Sequence, residues 1–495
     1  MSTFFAQWSA PIVDCQWSDV GRVTIDMLPE IALLDIFDFY GHEIDAWHTL
    51  VHVCRKWRII VFGSPRRLDL RLLCTASTPV RELLDIWPQL PIVVSVNGYG
   101  RLESWFVGCT DNVIAALEHN DRICELDLNS MPRTKMAELI PAMQQSFPAL
   151  TRVKLHLRTR KRLCIPDLFF DNGSARPPLQ TLILDQFPFP GLPILLPSAI
   201  QPVHLKIRNM FCREYISPEQ MVTYFSVMTR LEGLEIEFES LPSQRSQHPP
   251  APPKTRTLLP ALTKLRVFEV GGYLEDLVAR IDAPLLDKLI ILSHELISDT
   301  HWQVIHFIGR TPKFKAHDEA RMTFSKWDVS ITFPQIIDGR PELGISCEVS
   351  DRQLPSLTQV CVLSLPRCLI PSVDHLYIQS RSYLHHEFQA AWEYHSENSQ
   401  WLELFRPFTA VKALYISREF VSKIVPALQE LVRERATEVL PALQTLLFEE
   451  PLSSGPDQEV IEQFISARWL AGHPIAVSIW EDEDKPEWVC EDDDD

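Results

Sequence analysis

The sequence predicts an α+β solenoid entered through a small all-helical unit. Three observations carry this. A phrase of the form leucine-x-x-leucine-x-leucine, with Ile or Val substituting, recurs down the chain and often follows a proline. One densely apolar stretch of helical period, Leu28 to Val61, stands ahead of those recurrences. Glycine is scarce (16) and proline plentiful (38) among 495 residues, which argues against a nucleotide-binding fold built on glycine-rich loops.

In chain order, residues 1–22 read as a partly disordered lead-in, and 23–63 as the helical unit. Leu28 and Pro29 open it, since proline suits the first turn of a helix. Leu33, Ile36, Phe37 and Tyr40 fall at i, i+3, i+4 and i+7 and make one apolar stripe, while Leu28, Ile31 and Leu34 point away from it. A helix apolar on two sides must be covered on both, so something outside the segment is expected on the second face. Gly41 and His42 mark a turn and Asp45 a helix cap. Leu50, Val53, Cys54 and Trp57 then repeat the helical spacing, with Arg55, Lys56 and Arg58 on the other side.

Residues 64–120 read as a linker and capping segment. Ser64-Pro65 ends the helix, and Arg67 to Leu73 alternates like a strand. Thr78-Pro79 starts a helix reaching Trp87; Ile92 to Val96 reads as a buried strand and Asn112 to His119 as a helix. From 121 to 450 the phrase recurs as ICELDL (from Ile123), FPALTRVKLHL (Phe147), PPLQTLIL (Pro177), PVHLKI (Pro202), TRLEGLEIEF (Thr229), LPALTKLRVFEV (Leu259) and APLLDKLIIL (Ala283). Later copies are PSVDHLYI (Pro371), FTAVKALYI (Phe408) and LPALQTLLF (Leu440). Steps of about 23 to 38 residues lie close to those of leucine-rich repeats, each supplying a short strand and a helical or irregular return. Ser217 to Met228, with Ser as cap, Pro next and Gln three on, is one return helix, and Tyr273 to Ile281 another. Between about Ser293 and Pro371 the phrase fails: ARMTFS, DVSITFP and ELGISCEV alternate like strands, as degenerate repeats or a change of curvature. Leu241 to Arg256 reads as an exposed loop, and 451–495 as a C-terminal segment ending in an acidic, solvated tail.

Net charge is −18, half of it in the last fifteen residues, so no global field favours nucleic acid. Eleven scattered cysteines without a C-x-x-C pair suit a reducing compartment. The N-terminus lacks a signal-peptide pattern and no stretch of eighteen residues is uninterruptedly apolar, so the expectation is a cytoplasmic or nuclear protein without a membrane span. There is no P-loop, G-x-G-x-x-G, G-x-S-x-G or H-E-x-x-H. His48 and His52 have a metal-compatible i, i+4 spacing, but nothing completes a ligand set and they read as a solvated or packing pair. His385-His386 with Glu387 reads as polar loop, and Cys54 as a core cysteine. No cofactor, metal or catalytic residue is predicted.

Leu28-Pro29, Ile36-Phe37, Val53-Cys54-Arg55 and Trp57 stand in an order and spacing that resembles the F-box, a small three-helix module; the insert from Gly41 to Asp45 is slightly longer than typical. The wider chain is similar to the F-box proteins with irregular, RNI-like leucine-rich repeats abundant in mushroom-forming fungi, where DAWHTLVHVCRKWR and SPRRLDLRLLC are recurring features. The resemblance implies a substrate-receptor subunit of a cullin-type ubiquitin ligase that docks on a Skp-type adaptor. Its adaptor-binding residues would be Leu28, Pro29, Ile31, Leu34, Ile36, Phe37, Leu50, Val53, Cys54 and Trp57. A target protein would lie on residues alternating with the strand leucines, on the concave face of a solenoid: Lys154, His156, Lys206, Arg208, Glu235, Glu237, Arg266, Phe268, Tyr377 and Tyr415, with Asp127 and Ile183 in the same row. The alternative is a repeat scaffold outside any ligase, whose helical unit only caps the solenoid.

Overall fold

The computed structural model describes residues 25, 28–40, 44, 46–75, 77, 79–97, 107–157, 179–186, 202–210, 216–238, 255–268, 271–293, 302–314, 317–325, 328–334, 342–348, 369–380, 398–432, 437–451 and 455–480. The lead-in, Gly41, His42, Asp45, Thr78, most of the 241–256 loop, His385 to Glu387 and the acidic tail lie outside them. The chain divides into two compact units: Met1–Leu73 with Trp87–Pro91, and Cys74–Ile86 with Ile92–Asp495.

The first unit holds three helices, Glu30–Tyr40, Trp47–Val53 and Arg55–Gly63. Pro29 precedes the first and Glu30 places a carboxylate in its opening turn, where the helix dipole favours it. The buried side chains of this helix are Leu33, Leu34 and Phe37. This corrects both predicted stripes. At roughly 100° per residue the buried face lies between them, taking Leu33 and Phe37 from one and Leu34 from the other. Ile36 and Tyr40, expected inside, are exposed.

The second expected helix is two. Cys54 is extended (φ −157°, ψ 170°) and its Sγ accepts a hydrogen bond from the Trp57 amide at 3.4 Å, so it caps the third helix. Val53 therefore turns outward, while Trp57 meets Phe37 with ring centroids 4.7 Å apart. Trp47 anchors the unit, donating from Nε1 to the Arg71 carbonyl at 2.9 Å and packing edge-on against Trp87 at 5.2 Å and Phe62 at 5.8 Å. The strand expected over Arg67 to Leu73 begins only at Leu72. Before it the backbone folds on itself, with Leu68 N donating to Ser64 O, Leu70 N to Pro65 O, and Asp69 at φ 43°.

The second unit is built on a long, mostly parallel sheet. Its strands are β1 (Leu72–Thr75, which the division cuts), β2 (Ile92–Asn97), β3 (Ile123–Met131), β4 (Arg152–Leu157), β5 (Thr181–Asp185), β6 (His204–Met210), β7 (Gly233–Phe238), β9 (Lys264–Phe268) and β11 (Lys288–Ser293). They continue through β12 (Glu319–Phe324), β13 (Asp328–Phe333), β14 (Glu342–Glu348), β15 (His375–Ser380), β16 (Ala413–Ile416), β17 (Thr445–Phe448) and β18 (Ala476–Ile479). The short β8 (Thr257–Leu258) and β10 (Ile281–Asp282) pair separately. Every leucine phrase contains a strand of the large sheet, and the sheet runs beyond residue 450 to β18.

Register explains the phrase. Leu126, Val153, Leu182, Leu205, Leu234, Leu265, Leu289 and Leu343 stand side by side. Two residues on, Leu128, Leu155, Leu184, Ile207, Ile236, Val267, Ile291 and Ile345 form a second row, and both rows are buried. Parallel neighbours require crossovers, and these supply the helices whose apolar faces complete the core: Met221, Val222 and Phe225 from Pro218–Phe225, and Leu274, Leu277 and Val278 from Gly271–Ala279. The Ser217–Gln220 capping box starts the former as the sequence anticipates.

The irregular region is a meander. The strand order runs β11-β14-β13-β12-β15, with β13 antiparallel to both neighbours and β12 and β14 parallel to the flanking repeats. Beyond it, Arg468 on the last helix (Pro456–Leu470) is fully buried and donates to the Leu443 and Pro441 carbonyls at 3.0 and 3.3 Å, fastening that helix to the turn before β17. Burial lowers its guanidinium from the usual arginine range.

Candidate functional site

Of the helical-unit residues singled out in the sequence, Leu34, Phe37 and Leu50 are core. Leu28, Cys54 and Trp57 are half-buried and Pro29 exposed. Ile31, Ile36 and Val53 are 64%, 44% and 56% exposed. Further apolar side chains join the surface, the most exposed being Phe39 at 80% and Ile59 at 63%. Phe39 was legible: Ile31, Asp35 and Phe39 follow at i, i+4 and i+8, and Ile36 lies beside them. Asp35 on that face is ion-paired to Arg67. Large apolar side chains gathered on so small a unit are the composition of an interaction surface. His48 does not stand ready for a metal: its ring stacks on Trp87 with centroids 5.1 Å apart. Among the described residues no group of His, Cys, Asp and Glu could hold a metal ion, and none of the helices is long and apolar enough to cross a membrane.

The second set of residues falls into register rows of the sheet. Asp127, Lys154, Ile183, Lys206, Glu235 and Arg266 stand in one row, which passes through Ile290, Gly344, Thr332 and Arg321 to Tyr377 and Tyr415. His156, Asp185 and Arg208 begin a second row, and Glu237 and Phe268 are paired on later strands. In the first half, charges are largely matched across strands. Arg208 Nε donates to Glu235 Oε1 at 2.5 Å, Lys154 Nζ lies 3.9 Å from Asp127 Oδ2, and Asn209 Nδ2 donates to Asp185 Oδ1 at 2.8 Å. His156 Nδ1 and Asn129 Oδ1 are hydrogen-bonded at 2.7 Å. Ile183 and Glu235 are buried, 6% and 4% exposed, so neither offers a contact surface.

Electrostatics follow from this pairing. Burial pushes the Asp127 carboxyl up, against the downward pull of Lys154 and Arg152. Burial also pulls the Arg208 guanidinium down, but the hydrogen bond and charge of Glu235, with Glu237 and Asp185 nearby, more than offset it and hold it above the usual value.

The second half is aromatic. Tyr377 and Tyr415, directly opposite on β15 and β16, stack with centroids 3.9 Å apart and planes 11° from parallel. Arg321, beside Tyr377 in the row, holds its guanidinium carbon 4.9 Å from that ring's centroid and is ion-paired to Glu319 at 2.5 Å. Trp480 sets its edge against both tyrosines, at 6.1 and 5.9 Å. Burial, then the Tyr415 hydrogen bond, raises the Tyr377 phenol well above its usual range, so it stays protonated. Sequence reasoning found the tyrosines and missed Arg321 and Trp480. Arg321 lay in the outward register of ARMTFS, but only the strand order brings it beside Tyr377. Arginine and aromatic rings, half-exposed and mutually braced, are the side chains that dominate protein recognition.

No protein-family model matches the chain, and no curated protein does. Among solved structures, the chain is similar to the leucine-rich repeat-containing protein LegL7 from Legionella pneumophila, at 12% identity and a TM-score of 0.28, over 80% of this chain and 97% of that one. The repeat architecture accordingly rests on the strand register and the buried leucine rows.

Proposed function

We propose that the chain is the substrate-receptor subunit of a cullin-type ubiquitin ligase, working in the cytosol or nucleus. The helical unit docks on a Skp-type adaptor, and through it a cullin scaffold, while the sheet holds a target protein. The observation that carries this reading is the set of exposed apolar side chains Ile31, Ile36, Phe39, Val53 and Ile59 on three short helices. It joins the ordered Leu28-Pro29, Ile36-Phe37, Val53-Cys54 and Trp57 positions that resemble an F-box. Exposed set and family pattern agree at Ile36 and Val53. The row of Arg321, Tyr377 and Tyr415 is the target surface favoured by its composition.

Such a subunit works by proximity. Holding a substrate beside the ligase replaces a bimolecular encounter with a local one at high effective concentration, and no residue of the receptor needs to make or break a bond.

The test is capture of a purified Skp-type adaptor by the full chain and by Ile31→Asp. The expected result is capture by the wild type and its loss in the variant, with little change in the thermal midpoint because Ile31 is already in water. A wild type that does not bind the adaptor, with a variant that melts far earlier because a charge has been forced into a covered site, would leave a repeat scaffold whose helices serve only as a cap.

A further inference from the structure

Among the described residues, the sheet ends on β18. β18 pairs in parallel with β17, and no other described strand pairs with it. Ala476 N donates to Gln444 O at 2.8 Å and Trp480 N to Phe448 O at 3.0 Å. By the alternation of a parallel strand, the N–H and C=O groups of Val477 and Ile479 then point away from the sheet. All four residues of β18 are exposed, Val477 by 43% and Ile479 by 51%. Those two occupy the register positions held by Leu446 and Phe448 in β17 and by Leu414 and Ile416 in β16, which are buried. Both core rows thus run out into water. Nothing within the strand blunts the edge: Ala-Val-Ser-Ile has no charge and no proline.

We propose that this edge is a self-association site, with β18 of two copies paired antiparallel about a two-fold axis at Ser478. A two-fold axis through Ser478 and perpendicular to the strand sets the two copies antiparallel. With Ser478 opposite its own copy, Val477 faces the partner's Ile479 and Ile479 the partner's Val477. Those are the residues whose backbone groups point outward, so four hydrogen bonds form and every outward group of the pair is satisfied. The same register sets apolar against apolar on the face continuous with the core rows. A shift by one residue would oppose outward groups to Ser478, whose backbone is turned toward β17. Charge favours the same arrangement. Glu481, Asp482, Glu483 and Asp484 follow the strand in sequence; antiparallel pairing sends the two acidic runs to opposite ends, whereas parallel stacking would set them side by side. Proline before the strand (Pro474) and acidic residues after it are the gatekeepers that favour a closed pair over open aggregation. This inference is independent of the adaptor reading.

The experiment uses the full chain. Analytical ultracentrifugation across a dilution series is expected to show a monomer–dimer equilibrium. Val477→Pro and Ile479→Pro each delete an outward N–H while leaving the bonds to β17, so the dimer is lost and the circular dichroism unchanged. Ser478→Cys, sitting at the axis as a non-hydrogen-bonded pair about 4.5 Å apart between Cα atoms, is expected to form a disulfide-linked dimer under mild oxidation, above the wild-type background. Val477→Cys, facing an isoleucine, is not. A chain that stays monomeric at every concentration, as it would if residues 481–495 or a strand of another protein covered the edge, overturns the proposal. So does a dimer that survives both prolines, or one that Ser478→Cys fails to link.

Discussion

Arg208 and Glu235 meet across the β6–β7 pair, Nε to Oε1 at 2.5 Å, with the carboxylate buried and the guanidinium partly in water. The asymmetry sets the order of two mutants. Arg208→Gln strips a buried carboxylate of its charged partner, whereas Glu235→Gln leaves Arg208 near Asp185 and Glu237. Losing the charged hydrogen bond costs about 1.5–3 kcal/mol, and Arg208→Gln is expected to sit at the upper end. Thermal melts of both variants check this; a Glu235→Gln variant that melts below Arg208→Gln would contradict it.

A buried carboxylate also gives the fold a pH dependence. Glu275 accepts hydrogen bonds from the Gln303 and Val304 amides at 2.7 and 3.1 Å, and so caps the Trp302–Arg310 helix from its neighbour. Burial pushes its pKa up to about 7; the two amides pull the other way and Asp276 adds to the rise. The folded value exceeds the unfolded one, so Glu275 stabilises most below about pH 4.5 and that contribution fades as pH rises through 7. Its full span is on the order of 3 kcal/mol. Glu275→Gln, which cannot ionise, should flatten the fall in thermal midpoint between pH 5 and 8. An unchanged slope would place the pH dependence elsewhere.

The repeats were legible because each phrase places leucines at spacing two along a strand, and the register lines them up across the sheet, Leu182 beside Leu205 and Leu205 beside Leu234. Strand direction was not. DVSITFP alternates the same way whichever way it runs, so nothing local marks β13 as antiparallel, and Arg321 could not be set beside Tyr377 without the strand order. The two apolar stripes of the first helix misled for another reason. Apolar residues surround most of that helix, and periodicity alone does not say that Leu33, Leu34 and Phe37 share the buried face. β18 escaped notice because Ala-Val-Ser-Ile carries no leucine phrase.

Thiols are usually buried, which predicts a core position for Cys54. In the structure it is half-buried and caps the Arg55–Gly63 helix through Sγ. Sulfur is a weak acceptor, and a serine oxygen at the same place does the work better. Cys54→Ser should therefore hold or raise stability, and Cys54→Ala lower it by about 0.5–1 kcal/mol. Urea denaturation of the two variants decides; equal stabilities would mean that the Trp57 amide gains nothing from the cap.

The tyrosine pair makes the last prediction, and it separates bracing from mere burial. Tyr377 and Tyr415 are parallel and 3.9 Å apart, with Arg321 over one ring and Trp480 edge-on to both. If the rings only cover apolar surface, Tyr377→Ala and Tyr415→Ala should add in the double variant. Stacked rings instead couple by about 0.5–1.5 kcal/mol beyond their area, so the double variant is expected to lose less than the sum of the singles by that amount. Because the phenol of Tyr377 is held protonated by burial and by Tyr415, the coupling should not change between pH 7 and 9. A cycle that closes to zero would mean the stack contributes no rigidity, and with it would go the reason to regard this part of the row as a preformed platform for a target.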